Sequence, residues 1–376
     1  MEELIQLRQE LHKYPEVSGN EKETAKRVLD FLLKYKPNEV ITNLGGNGIL
    51  AIYKGNETGK SVLFRCELDA LPIQEINTFK YKSSIDGVSH KCGHDGHMAI
   101  SCGLAKMLHE NPLEKGTVML LFQPAEEDGS GAKAVMADSK FKNIKPDFAF
   151  ALHNLPGFPL HQIIVKENAF TCAVNSIIIQ LEGKTSHAGE PENGINPALA
   201  IAEIIQVFNS KIQAVLSAEN YCLITPIHIN MGEKAYGISA GYGEVHFTVR
   251  SDSNAFMQKT ENDLENIVSK IAEKYNLKVN MQWTEKFQAN ENNKEAVNYI
   301  RKLAAKLELS VLEKELPFTF GEDFGLIIQH FKGAMFGLGS GESTPSLHNP
   351  DYDFPDEIMQ TGVSLFYQIT KEILDA

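Results

Sequence analysis

The spacing of apolar residues changes several times along the chain, and each change marks an element. An amphipathic first segment is followed by Asn20 and Glu23, a capping-box variant that predicts a helix through Val28, Phe31 and Leu32. The run Ser61-Val-Leu-Phe-Arg-Cys66 reads as a buried strand and ends in Glu67-Leu-Asp69 and Pro72. Ile100, Leu104, Met107 and Leu108 fall at i, i+4, i+7 and i+8, which predicts a helix. Two further runs, over 117–122 and 148–152, lead into Gln-Pro-Ala-Glu126-Glu127 and into His153. Ala334-Met-Phe-Gly-Leu338 then enters a Gly/Ser loop that reaches Ser346-Leu-His348-Asn349. Strand, helix, strand order predicts an α/β fold with a mixed, largely parallel sheet and flanking helices. Ligands in such sheets bind beyond the carboxyl ends of the strands, where Asp69, the Glu126-Glu127 pair and His153 are expected.

The middle of the chain has another rhythm. Positions 174–182 alternate, with Ile177, Ile179 and Leu181 on one face. Asn196-Pro197 supplies an N-cap and a proline at N1 for a helix striped by Ile201, Ile204, Ile205, Phe208, Ile212 and Val215. Strands over 222–231 and 244–250 follow, then a helix capped near Ser251 to Ser253 and running through Leu264, Ile267, Val268 and Ile271. Leu277, Val279, Met281 and Trp283 alternate in a last strand. The order β-α-β-β-α-β is that of a ferredoxin-like α+β module. The expected organisation is a first domain over 1–174 that resumes over 286–376, interrupted by an inserted domain over 175–285. The resumption begins with a helix through Val297, Ile300, Leu303, Ala304 and Leu307.

Composition narrows the partners. At 376 residues the chain exceeds what one core usually serves, in line with two domains. A net charge of −13 argues against nucleic acid or an anionic membrane surface. The first residues lack a basic and apolar leader pattern, and no apolar run nears the roughly 18 residues of a spanning helix. Five cysteines without a CxxC pair point to a reducing, cytoplasmic setting. Gly55-Asn-Glu-Thr-Gly59-Lys60-Ser61 misses a phosphate loop by one position and is followed by a strand, so no helix N-terminus would face a phosphate. Gly237-Ile-Ser239-Ala-Gly241 matches GxSxG, but a strand rather than a helix follows, and the segment reads as a hairpin turn.

The candidate chemistry lies in Ser89-His-Lys-Cys92-Gly-His94-Asp-Gly-His97, which places soft donors at the entrance of a helix. Cys92, His94, Glu127, His153 and His348 are five donors, too many for one tetrahedral ion and suited to two ions that share ligands. Glu126 and Glu127, adjacent at a strand end, point in different directions, so that one can hold metal and the other act as base. Taken singly, each has an ordinary explanation as a surface histidine, a solvated acid pair or a small buried cysteine; it is the combination that points to metal. His90 and His97 are not assigned as ligands, and His109 and His161 read as structural.

Cys92-Gly-His94-Asp-Gly-His97, Gln123-Pro-Ala-Glu126-Glu127, His153-Asn-Leu-Pro156, Thr185-Ser-His187-Ala, Gly321-Glu-Asp-Phe324 and Leu347-His348-Asn349 together resemble the M20 metallopeptidases, specifically the subfamily D amidohydrolases of N-acyl amino acids. The resemblance spans essentially the whole chain. It implies a zinc-peptidase-like catalytic domain with an inserted lid, and a homodimer formed through that lid. It implies two divalent ions, zinc or manganese first and cobalt or nickel as alternatives. By similarity Cys92, His94, Glu127, His153 and His348 hold metal, Glu126 is the acid/base, and Asp69 supports the site. His187 matches a lid histidine that reaches the partner's active site in family dimers and polarises the scissile carbonyl. The implied reaction splits an N-acetyl or N-aroyl amino acid into a carboxylic acid and a free amino acid. A dipeptidase or carboxypeptidase and an idle acyl-amino-acid-binding protein are the alternatives. Two departures stand out: Glu67 replaces the usual aspartate, and the segment 231–240 lacks the Asn-x-x-Pro many relatives carry. Arg250 ends a lid strand and is a candidate for the substrate carboxylate.

Overall fold

A computed structural model describes residues 1–212 and 220–375. The chain forms two compact units: Met1–Phe170, Asn290–Glu315 and Glu322–Ala376 make one, and Thr171–Ala289 with Leu316–Gly321 the other. The hydrophobic pattern gave no sign that 316–321 would join the second unit. Val215 of the expected stripe lies outside the described residues.

Strands and helices are numbered along the whole chain. The first unit contains β1 (Glu39–Leu44), β2 (Gly48–Lys54), β3 (Glu57–Glu67), β4 (Lys115–Gln123), β5 (Phe148–Leu155), β6 (Ile163–Val165), β15 (Val311–Glu313) and β16 (Gly333–Gly339). They form an eight-stranded sheet in the order β1-β2-β4-β3-β5-β16-β6-β15. Its centre, β4-β3-β5-β16, is parallel throughout, whereas β1, β2 and β4 pair antiparallel, as do β16 and β6. The central strands are buried along nearly continuous apolar runs, as strands covered on both faces must be. A short ladder joins β7 (Asn168–Ala169) to β14 (Glu291–Asn292).

The unit's helices are α1 (Glu2–Lys13), α2 (Lys22–Lys34), α3 (His94–Glu110), α4 (Gly131–Ala137), α7 (Lys294–Lys306), α8 (Phe324–Ile328) and α9 (Met359–Asp375). α3 packs between α1 and α9 against β3. Ile100, Leu104 and Leu108 are buried in that contact. Two expectations need correction. Asn20 does not cap α2: the helix follows Glu21, and the free amide of Thr24 donates to the Glu16 carboxylate at 2.7 Å. His153 does not lie past a strand end, because parallel pairing with β16 carries β5 on to Leu155.

The second unit runs β8 (Ala173–Glu182), α5 (Ala198–Ser210), β10 (Cys222–Met231), β12 (Tyr242–Ser251), α6 (Asn254–Lys274) and β13 (Lys278–Phe287). Its antiparallel sheet has the order β10-β12-β8-β13, the ferredoxin-like arrangement. Ile177, Ile179 and Leu181 share a core with Val245, Phe247 and Val249 and with Ile201, Ile204, Phe208, Leu264 and Val268 of the helices. Ser253 caps α6, its hydroxyl accepting from Phe256 N. α5 begins one residue later than the pattern implied, with Asn196 Oδ1 accepting from Ala198 N at 2.9 Å. The stretch expected as a bare hairpin turn around Ser239 holds a two-residue strand, β11 (Ile238–Ser239), paired with β9 (Ser186–His187).

Candidate metal centre

Backbone constraints build the entrance of α3. Gly93 has φ +90, and a Cβ there would lie 2.5 Å from Asn154 Oδ1. At Gly96 a Cβ would lie 2.4 Å from the Phe354 ring. Both glycines let the first turn press onto β5 and the C-terminal loop, so that Cys92 and His94 reach the carboxyl edge of the sheet. Two non-glycine residues beside the centre adopt left-handed backbone, Ala125 (φ 50) and His348 (φ 66), a conformation that costs roughly 1–2 kcal/mol. Ala125 is held by its amide on Glu21 Oε1 and its carbonyl under Gly131 N, both at 2.8 Å. His348 is held by its amide on Lys91 O at 2.8 Å. Strain of this kind collects where geometry serves function.

The five expected donors come together. Cys92 Sγ lies 3.5 Å from His153 Nε2. His94 Nε2 is 3.8 Å from Glu127 Oε1 and 3.9 Å from Glu126 Oε2, and His348 Nε2 is 3.8 Å from Glu127 Oε2. Donor atoms of Cys92, His94 and His153, of Cys92, Glu127 and His348, and of His94, Glu126 and Glu127 each lie within 4.8 Å of one another. Because these trios overlap through Cys92, His94 and Glu127, the donors can hold more than one cation. Coordination bonds of ~2.0–2.3 Å put tetrahedral ligands ~3.3–3.8 Å apart, close to these separations. His94 Nε2 and Glu127 Oε1 are also buried without a hydrogen-bond partner, a costly state that a cation relieves. The donor set therefore fits divalent ions.

Asp69 organises the centre without facing it. Its Oδ2 accepts from Ser18 Oγ at 2.7 Å and from Glu127 N at 2.9 Å, which fixes the Glu127 backbone. Its carbonyl lies 2.9 Å from His94 Nδ1; since a carbonyl only accepts, Nδ1 carries a proton, and in the neutral ring the lone pair is left on Nε2, which faces Glu126 and Glu127. The same logic at His153, whose Nδ1 meets Asn154 O at 2.9 Å, turns its Nε2 toward Cys92. Burial raises the Glu126 carboxyl well above the usual range, and Glu322, Glu127 and Asp323 add to the effect. Burial also pushes Glu127 up to about 7, against the pull of His94, and drops His153 to about 3.

Two buried networks that pattern reading missed support these residues. Arg65, wholly buried, contacts Glu67, Gln123 (3.0 Å), Glu322 (2.9 Å) and Asp323 (2.5 Å). Glu67 in turn meets His97 Nδ1 at 2.6 Å, while His97 Nε2 faces Asn154 Oδ1 at 2.5 Å. Behind α3, Arg8 and His12 meet Asp95 at 3.1 and 2.9 Å, and His12 and Lys91 meet Glu75 at 3.1 and 2.6 Å. One signal was available: Arg8 and His12 sit on the same helical stripe as Leu4 and Leu11. His90 is buried, and neither ring nitrogen has a hydrogen-bond partner.

The other two expected residues belong to the second unit. His187 is exposed on β9, its Nδ1 accepting from Gly189 N at 3.0 Å. Arg250, on β12, donates from Nη1 to Thr319 O at 2.5 Å.

A parallel α/β sheet with mixed N, O and S donors converging at its carboxyl edge is the framework of a metal-dependent hydrolase. The chain belongs to peptidase family M20/M25/M40, whose model matches residues 63–372. It is 32% identical over 373 residues to N-acetyldiaminopimelate deacetylase of Lactobacillus helveticus, covering 94% of this chain and 93% of that one. To hippurate hydrolase of Campylobacter jejuni it is 28% identical over 374 residues, covering 99% and 97%. A solved Bacillus subtilis structure, a dinuclear metal binding peptidase from the M20 family, matches with a TM-score of 0.85 at 27% identity, over 100% of this chain and 98% of that one.

Proposed function

We infer that this chain is a metal-dependent amidohydrolase that cleaves N-acyl amino acids to a carboxylic acid and a free amino acid. The observation that carries the reading is the convergence of Cys92, His94, Glu127, His153 and His348 beside the buried carboxyl of Glu126. Those five residues are the proposed ligands. Two divalent ions held there supply Lewis acidity and make a water molecule more acidic, in single-zinc enzymes with a pKa of roughly 7. Zinc or manganese leads the choice of ion, with cobalt or nickel as alternatives.

Glu126 is the proposed base. Its desolvated carboxylate, crowded by Glu322 and Asp323, has a strong appetite for a proton. It takes one from the attacking water and passes it to the departing amide nitrogen, a role typically worth about 10²–10⁴ in rate. Asp69 keeps His94 and Glu127 oriented while this happens. His187 is the proposed oxyanion donor. With Nδ1 accepting from Gly189, the proton of a neutral ring sits on Nε2 and is free to be donated. Arg250 keeps guanidinium donors beyond its one bond to Thr319 and is proposed to bind the substrate carboxylate.

A homodimer through the second unit is part of the proposal. β10 is an edge strand exposed over 225–231, with Ile227, Ile229 and Met231 uncovered. Unpaired edges of this kind invite strand addition from a second copy. The five cysteines are all unpaired and buried, which supports a reducing, cytoplasmic setting. Among the described residues no helix is long and apolar enough to cross a membrane.

The test is a panel of N-acetyl and N-benzoyl amino acids run against dipeptides on the metal-loaded protein. Preferential release of amino acid from the acyl compounds supports the proposal. Turnover of dipeptides alone would move the chain to the peptidase reading, and turnover of neither, with metal bound, to the idle one.

A further inference from the structure

The outer face of the second unit's sheet carries a separate cluster, His228, Glu244 and His246. His228 on β10 stands directly opposite His246 on β12, next to a β-bulge. Thr225 pairs with Thr248 and Pro226 with Phe247, so unbroken alternation would place Ile227 opposite His246. The extra residue in β10 puts His228 there instead. Bulges re-aim side chains in this way, often at sites that use them. Glu244 precedes His246 by two residues and therefore shares its face.

The side chains converge on one oxygen. Glu244 Oε1 lies 3.6 Å from His228 Nε2 and 3.9 Å from His246 Nε2. The other carboxylate oxygen is already engaged, accepting from the Tyr242 hydroxyl at 2.7 Å, and that bond orients the group. His246 Nε2 is closed off from solvent and has no hydrogen-bond partner. The imidazole centroids are 5.0 Å apart.

We propose that His228, Glu244 and His246 bind a divalent transition ion of the zinc class, independently of the catalytic centre. Bonds of ~2.0–2.1 Å give tetrahedral edges of ~3.3–3.4 Å, a few tenths shorter than the two nitrogen–oxygen separations present. The third edge, between the two imidazoles, is open as the rings stand, with centroids 5.0 Å apart, and binding would require the His228 ring, whose side chain is 51% exposed, to turn. Two imidazoles and one carboxylate suit zinc, nickel, cobalt or copper; calcium and magnesium prefer oxygen alone. Three protein ligands leave a coordination position open to water.

The test counts zinc on the full-length protein after dialysis against zinc ions. Wild type is expected to hold one ion more than His246→Ala, with amide hydrolysis by the variant unchanged. The Cys92→Ala protein should lose catalytic metal yet keep an ion that the added His246→Ala change removes. His228→Asn and Glu244→Gln, checked for intact fold by circular dichroism, guard against a folding artefact and should lose the same ion. Equal zinc counts in wild type and all three folded variants would overturn the proposal. Ion stoichiometry is the readout, so the result stands apart from substrate identity.

Discussion

Replacing Arg65 with methionine removes the guanidinium from a buried acid cluster. In the native protein the guanidinium touches Glu67, Glu322, Asp323 and Gln123. Methionine fills a similar volume and leaves Glu322 and Asp323 grouped with Glu126 without their guanidinium, and Glu67 with His97. Breaking a buried pair by deleting one partner costs about 3–5 kcal/mol, a large share of the roughly 5–15 kcal/mol that holds a domain folded. Arg65 helps to hold the Glu67 carboxyl well below its usual value, against the opposing effect of burial. In wild type that group contributes stability above the ordinary glutamate pKa, and the contribution fades as pH falls. Without Arg65 the balance shifts: Glu67 loses the main charge that offsets its burial, and Asp323, already raised to about 7 by burial, loses the same counter-charge, so the folded variant binds more protons than the unfolded chain. Stability then declines as pH rises above about 4.5. Denaturant unfolding followed by far-UV circular dichroism at pH 5 and pH 8 measures the effect, since Trp283, the single tryptophan, lies in the other unit. The expected loss is about 3–5 kcal/mol at pH 8 and clearly smaller at pH 5. A loss below about 1 kcal/mol at pH 8, or one that grows on acidification, would refute the reasoning.

Three further substitutions probe the centre. Glu126→Gln keeps the shape and removes the base, so turnover should fall by about 10²–10⁴ with metal content intact; retained turnover would take Glu126 out of that role. Asp69→Asn replaces an acceptor that orients Glu127 and stands behind His94, and should weaken metal affinity about 10–100-fold in chelator competition, with unchanged affinity as the contrary result. Gly96→Ala forces a methyl group to within 2.4 Å of the Phe354 ring and should cost about 1–3 kcal/mol in thermal unfolding; a neutral effect would mean that Phe354 yields freely.

Local chemistry was the most legible part of the sequence. The strands over 117–122 and 148–152 and the stripes of α3 and α6 followed directly from apolar period. Among the candidate donors, Glu127 and His153 showed because each follows such a run and His94 because it opens α3, whereas Cys92, two residues before that helix, and His348, in the loop after β16, showed only in combination with them. What stayed hidden depends on long-range pairing. Asn20 looked like a cap, but the Glu16 carboxylate, only eight residues before Thr24, meets that first-turn amide of α2 instead, so even this local choice depended on how the intervening loop folds. The Arg65 cluster joins a strand residue to partners 257 and 258 positions away, and nothing local marks Glu322 or Asp323 as its counter-ions. The His228–Glu244–His246 face was equally invisible, because a single bulge decides which residue of β10 stands opposite His246.

The most direct test of the catalytic reading is amino-acid release from N-acetyl and N-benzoyl amino acids before chelation, after chelation and after reloading with zinc or manganese. The account predicts that hydrolysis is lost on chelation, that it returns with metal, and that Cys92→Ala recovers little of it. Full hydrolysis by metal-free protein, or none by folded protein holding its catalytic ions, would contradict it.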